Sequence, residues 1–194
     1  MAKIASLCVF CGSKTGAAPG HRGAAEDLGR LIAARGIRLI YGGGRIGLMG
    51  VVAGAVLAQG GKVTGVIPQF LKDLEVENRD VSELVVTQSM HERKQRMFAL
   101  SDAFVCLPGG LGTLDETIEM VTWKQLRLHD KPIVILNVNG YWKELIQLVG
   151  AAIQGGFAHP AVRELFTVVS RVEDVFAALE AAPQPKDVVL TSHL

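Results

Sequence analysis

The chain has almost no surplus of either charge: 20 Lys and Arg face 19 Asp and Glu in 194 residues, a formal net charge of +1. That balance argues against a duplex nucleic acid partner, because such binding draws most of its strength from neutralising several phosphates. Any phosphate-bearing partner is expected to be small. Cysteine is scarce too, and its three copies, an odd number, argue against a disulfide framework. Cys8-Val9-Phe10-Cys11 spells C-x-x-C, but a redox pair wants its first cysteine at a helix N-terminus, and Cys8 falls inside an apolar run that reads as a strand. No second Cys/His pair at ligand spacing completes a zinc site, so these cysteines read as small apolar filler. Long hydrophobic runs are also missing. Nothing approaches the ~20 residues of a membrane span, and Met1-Ala2-Lys3-Ile4 leads into a strand-like stretch without a signal-peptide pattern. The expectation is a soluble, cytoplasmic protein without a membrane partner. Internal repeats and low-complexity blocks are absent.

What is present is an ordinary globular balance, 49% hydrophobic and 20% charged, in a chain long enough for one well-buried domain. Short apolar runs alternate with longer helical patterns. Strand-like segments at 4–10, 37–41, 62–67, 84–87, 103–107, 132–136 and 166–169 are interleaved with helix-like segments at 24–35, 46–59, 90–100, 113–128, 141–153 and 172–181. Such alternation predicts an α/β fold: a Rossmann-like open parallel sheet with helices on both faces, in a single domain over residues 1–182. Ala182-Pro183-Gln184-Pro185 marks the start of a loose tail over 183–194. Residues 68–82, with Pro68 and many charges, are the least regular connection and are read as a flap over a site.

In an open parallel sheet, ligands sit in the crevice outside the carboxyl ends of the strands. Three segments occupy such ends: Cys11-Gly12-Ser13-Lys14, the run from Gly42-Gly43-Gly44 to Gly50, and Pro108-Gly109-Gly110-Leu111-Gly112-Thr113-Leu114-Asp115-Glu116. Glycines let a backbone turn sharply and bring its N–H groups to an anion, and a helix starting at Thr113 adds a dipole that favours negative charge. Two glycine-rich turns, each leading into a helix, point together to phosphate or nucleotide binding. Neither is a Walker A, since no Gly-Lys-Ser/Thr closes it, and the 42–50 spacing does not fit a dinucleotide fingerprint. Glu116 has two readings on spacing alone. Thr113-x-x-Glu116 fits a capping box, and the same carboxylate is placed to carry chemistry.

Met90-His91-Glu92-Arg93-Lys94 is a second charged cluster. On a helix, Met90, Arg93, Lys94, Met97 and Leu100 share one side, so two cations stand on a methionine stripe. Arg93 and Lys94 either snorkel from its edge or face an anionic substrate, for which a guanidinium offers bidentate contact. Arg96 can pair with Glu92 at i,i+4 and is a solvated charge. His91 reads as a capped or surface group more readily than as a ligand or base, and Trp123 as core or subunit interface.

These two clusters resemble the M-H-x-R-K and P-G-G-x-G-T-x-x-E signatures of the LOG ("lonely guy") family, and Gly42–Gly44 with Gly47-Leu48-Met49-Gly50 resembles its G-G-G-x-x-G-L-M-G turn, over about residues 4–153. The family consists of cytokinin riboside 5′-monophosphate phosphoribohydrolases, often labelled putative lysine decarboxylases. The resemblance implies a Rossmann-like homodimer that cleaves the N-glycosidic bond of a small-molecule purine nucleoside 5′-monophosphate, with no metal or redox cofactor. It implies catalytic roles for Arg93 and Glu116. It also implies substrate contacts from Ser13, from Gly42, Gly43 and Gly44, from Glu75 and Lys94, and from Gly109, Gly110, Leu111, Gly112 and Thr113. Lys14 stands where family members often carry a second serine. Breaking a ribosyl–base bond builds positive charge on the sugar, which a carboxylate such as Glu116 stabilises or relieves by activating water. The alternative reading is a nucleotide carrier or sensor, in which Glu116 is only a cap. A lysine decarboxylase is rejected, because the Schiff-base lysine and pyridinium partner of a pyridoxal phosphate site are not recognisable.

Overall fold

The computed structural model describes residues 4–74 and 77–183. Ser6–Phe10 (β1), Arg38–Tyr41 (β2), Val63–Pro68 (β3), Glu83–Thr87 (β4), Ala103–Cys106 (β5), Ile133–Leu136 (β6) and Thr167–Val169 (β7) form one sheet in the order β4-β3-β2-β1-β5-β6-β7. Every pairing is parallel. Strands β5 and β6 are apolar throughout and fully buried, as a parallel sheet covered on both faces requires. The helices are Gly20–Ala34 (α1), Gly47–Ala58 (α2), Gln69–Lys72 (α3), Met90–Ala99 (α4), Leu111–Gln125 (α5), Lys143–Gln154 (α6) and Val175–Glu180 (α7).

Two apolar clusters lie on the two faces of the sheet. In one, Leu28 and Ile32 of α1, Val52 and Val56 of α2 and Leu179 of α7 pack with Leu7, Val9 and Leu39. In the other, Met97 of α4, Met120 of α5 and Trp142 pack with Cys8, Phe104 and Ile135. Phe104 stacks between Phe10 and Phe98, with centroids 5.8 and 6.0 Å away, contacts worth about 0.5–1.5 kcal/mol each beyond burial. Asp102, just before β5, ties the start of β1 in place. Its Oδ2 accepts from the Ala5 and Ser6 N–H groups at 2.9 and 2.8 Å and from the Ser6 hydroxyl at 2.9 Å. Burial alone would raise its pKa, but those bonds hold it below the ordinary carboxylate range.

The chain winds outward from β1 through β2 and β3 to β4, then returns to place β5 on the other side of β1. At that reversal the loops after β1 and β5 diverge and leave a crevice at the carboxyl ends of the strands. Their backbones touch at its base, where Gly12 N–H donates to the Pro108 carbonyl at 3.0 Å. A Cβ on Gly12 would stand 3.2 Å from Gly109 Cα and 2.9 Å from the Lys14 carbonyl, so only glycine admits this approach.

The expected alternation is observed, with differences at element ends. Helix α1 begins at Gly20, a turn before the expected 24, because Gly20-His21-Arg22-Gly23 carries no apolar periodicity to mark it. Helix α5 begins at Leu111, two residues before Thr113, with Gly110 as its N-cap. Within 68–82, the described part contains α3, Asn78 N–H donates to the Gly43 carbonyl at 2.8 Å, and Glu77 bridges Gly44. The tail expected over 183–194 lies, beyond Pro183, outside the described residues.

Gly47 opens α2 with φ +64°, and a Cβ there would overlap the Ser13 carbonyl group. Gly54, inside the same helix, has open space around it. Gly47→Ala is therefore expected to cost about 2 kcal/mol or more, and Gly54→Ala to add about 0.5–1 kcal/mol. Urea denaturation of both variants checks this, and equal midpoints would contradict it.

Candidate active site

Arg93 stands on the first turn of α4. The Ser89 hydroxyl caps this helix by accepting from Glu92 N–H at 3.1 Å, and the Glu92 carboxylate accepts from Gln88 N–H at 2.8 Å. This cap sets the start of the helix, and Arg93 and Met97, at i and i+4, both turn inward and are buried. From α4 the guanidinium reaches three other elements. Nε donates to the Val66 carbonyl of β3 at 3.2 Å, and Nη1 donates to Glu116 Oε1 of α5 at 2.7 Å. Nη2 lies against Gly42 after β2, where any Cβ would overlap it.

Arg93 is 7% exposed and Glu116 5%. Desolvation raises the pKa of the Glu116 carboxyl, the Arg93 guanidinium opposes that rise, and burial prevails. Three thiols share this environment. Cys8, Cys11 and Cys106 are all buried, and their pKa values are pushed up first by desolvation, with the negative charge of Glu116 adding to it, Cys106 to about 12. They remain protonated filler. Truncating one member of a buried ion pair leaves the other uncompensated, at a cost of about 3–5 kcal/mol.

Lys94 ties the same two helices together. Its Nζ lies 2.9 Å from Asp115 Oδ2 and 3.1 Å from Glu119 Oε2. Burial alone would lower its pKa, but these carboxylates hold it above the ordinary lysine value.

Six residues before Glu116, Gly110 caps α5 with extended backbone and no side-chain hydrogen bond, and the first helical turn carries no acid. The N–H groups of Leu111, Gly112 and Thr113 thus begin the helix without a side-chain acceptor, which is the arrangement that favours an anion. A cleft of about 590 Å³ opens beside this terminus. The loop after β1, from Gly12 to Ala18, forms one wall, and Pro108, Gly109 and Gly110 form the other. His21 and Tyr141 close it, and the Tyr141 hydroxyl donates to the Gly109 carbonyl. A hollow of about 700 Å³ between α6 and β7 is larger, but it lies apart from every glycine-rich loop.

Residues 49–179 match a family described as "possible lysine decarboxylase". The chain is 42% identical over 184 residues to cytokinin riboside 5′-monophosphate phosphoribohydrolase LOG5 of Arabidopsis thaliana, covering 95% of this chain and 81% of that protein. LOG3 of the same plant, with the same activity in its name, is 43% identical over 178 residues, covering 92% and 83%. The chain belongs to the LOG family. Among solved structures, the molybdenum cofactor binding protein of the phototrophic bacterium Rippkaea orientalis superposes with a TM-score of 0.69 at 22% identity, covering 92% of this chain and 97% of that one. That likeness is one of fold.

In this LOG-family chain the expected residues fall into two groups. Ser13, Gly109 and Gly110 line the cleft, while Arg93, Glu116 and Gly42 meet behind the first turns of α5. Gly43 and Gly44 are held by the 77–78 segment. The Leu111 side chain is 84% exposed and points away, leaving its backbone as the useful part. Lys94 is already engaged by two acids. Glu75 lies outside the described residues. Thr113 is the third residue of α5, not its cap, and Glu116 reaches Arg93, so the capping-box reading of that pair is corrected. Ser89 caps α4 instead, with the Glu92 carboxylate reaching back to Gln88 N–H, and no ion pair joins Glu92 and Arg96 among the described residues. His91 is exposed and within 3.0 Å of Gln95 Nε2, and Trp123 packs edge-on against Phe98 at 5.1 Å. Sequence reasoning missed His21 and Tyr141. Tyr141 follows β6, so the strand-end rule could have found it; no local signal marks His21.

The raised pKa of Glu116 has a defined sign. The native state holds a proton that the unfolded chain, near pKa 4.3, has released, so stability falls as pH rises from there through the native value and levels above it. Glu116→Gln removes this component. The stability of the wild type relative to Glu116→Gln, from urea denaturation between pH 4 and 8, is expected to decrease with pH. An increase would show that the guanidinium outweighs burial.

Proposed function

We propose that this chain hydrolyses the N-glycosidic bond of purine nucleoside 5′-monophosphates, AMP or a cytokinin-type N6-substituted AMP, to free base and ribose 5-phosphate. The observation that carries this reading is the buried Arg93–Glu116 pair, set six residues along α5 from an uncapped, glycine-lined helix N-terminus. The 42–43% identity to enzymes of that name supports the same reading.

The chemistry follows from the parts. The 5′-phosphate is held by the backbone N–H groups at Gly109 to Thr113, and that remote binding orients the ribose. As the C1′–N9 bond breaks, its electron pair leaves with the purine and positive charge spreads over C1′ and the ring oxygen. The Glu116 carboxylate stabilises that charge and takes the proton of the attacking water, whose hydroxyl bonds to C1′; that proton then passes to the departing base, which restores the carboxylate. Arg93 fixes the carboxylate in place and opposes, without cancelling, the burial that favours its neutral form. A carrier or sensor would use the same phosphate loop without turnover.

We also propose that the chain works in the cytoplasm as a homodimer. Leu111, Ile118 and Leu126 stand 84%, 43% and 49% exposed along the outer stripe of α5, an apolar line that a second copy would cover. Sedimentation equilibrium is expected to give a dimer for the wild type and a monomer for Ile118→Glu.

Free base assayed across AMP, GMP, CMP and prenylated AMP is expected from the purines only. Glu116→Gln should remain folded and lose about 100-fold or more in kcat/KM. Tight AMP binding without base release would point to the carrier instead, and full activity in Glu116→Gln would remove that residue from the chemistry.

A further inference from the structure

Two side chains that the chemistry above does not use face the cleft between the β1 and β5 loops. His21, the second residue of α1, is 7% exposed and lines that cleft. No hydrogen bond among the described residues engages its ring. It is held by packing alone: edge-on against Tyr141, with centroids 5.7 Å apart at 84°, and against Gly16, where a Cβ would lie 2.9 Å from Nδ1. Burying a polar ring without a protein partner is unfavourable, and the open side of this one is the cleft. Lys14 is exposed in the wall of the same cleft and, unlike Lys94, forms no ion pair among the described residues.

The surroundings define the charge of the occupant. No carboxylate lines the cleft among the described residues. Helices α1 and α5 both begin at it, and neither has a side-chain cap or an acid in its first turn, so two sets of backbone N–H groups add partial positive charge. A cation finds no acidic acceptor here. An anion finds an ammonium, an imidazole and two helix termini.

We propose that His21 and Lys14 recognise the 5′-phosphate by side chain and thereby set the preference of this enzyme for phosphorylated over unphosphorylated nucleosides. The proposal rests on the phosphoribohydrolase reading and extends it, because that reading assigns the phosphate to backbone alone. The two residues divide the task. Buried His21 supplies a directional hydrogen bond that salt does not screen, and exposed Lys14 supplies attraction that weakens as ionic strength rises.

The test compares AMP with adenosine. His21→Phe keeps the ring and its contact with Tyr141 but removes both nitrogens. It is expected to raise KM for AMP about tenfold, the loss of one hydrogen bond to a charged group, with kcat nearly unchanged and kcat/KM for adenosine unaffected. His21→Gln, which restores an N–H donor, should recover most of the loss, a rescue that a purely structural role would not show. Lys14→Ser should raise KM for AMP about threefold at low salt and have no effect at high salt. Equal losses on AMP and adenosine, or an unchanged KM for AMP in His21→Phe, would overturn the proposal. If the protein turns out not to cleave nucleotides, calorimetric binding of AMP and adenosine still decides it: His21→Phe must weaken AMP alone.

Discussion

The loops after β1 and β5 meet backbone to backbone, Gly12 N–H on the Pro108 carbonyl at 3.0 Å, and the geometry of the site depends on that contact. A side chain at Gly12 would separate the two loops. With none present, the loops close the base of the crevice and open only above it, where the strand order reverses. The same contact fixes where α5 starts. Once Gly110 is its N-cap, helical phase turns Thr113, Glu116, Thr117 and Met120 inward and leaves Leu111 outside.

The inward position of Glu116 would be unfavourable for a lone carboxylate. Desolvation prevails over the guanidinium in setting its pKa, and Arg93 reduces that penalty without removing it. Arg93 in turn needs Gly42 beside it and the Val66 carbonyl to take its Nε–H. The pair therefore joins α4, α5, β3 and the loop after β2, and Lys94 reinforces the α4–α5 seam through Asp115 and Glu119. A carboxylate placed in this way is preorganised: its partners are set by the fold, so its position needs little reorganisation.

Much of this was legible in the chain. Alternating apolar runs announced the parallel sheet because strands buried on both faces need near-continuous hydrophobic sequence, and β5 and β6 are of that kind. Arg93 was marked by its place on a methionine stripe, where a cation is out of pattern. Element ends were less legible. Helix α1 starts in a stretch without apolar period, and α5 starts on glycines whose signature is a turn as much as a cap. The Ser89 cap is hard to read because the residues after it form a charged cluster, while Thr113 and Glu116 have the same Ser/Thr-x-x-Glu spacing.

Sequence by itself determined the layered α/β class, the glycine-rich strand ends and the acid and base types, since these rest on local periodicity and on steric permissiveness that each residue carries with it. Tertiary structure alone decided which of two identical spacings is a cap and which is an ion pair, because that depends on a guanidinium arriving from 23 positions away. It also decided that Lys94 is already neutralised and that His21, on the opposite helix layer from Arg93, stands across the cleft from the α5 N-terminus. Such pairings arise from where the chain crosses the sheet, and no window of sequence contains that crossing.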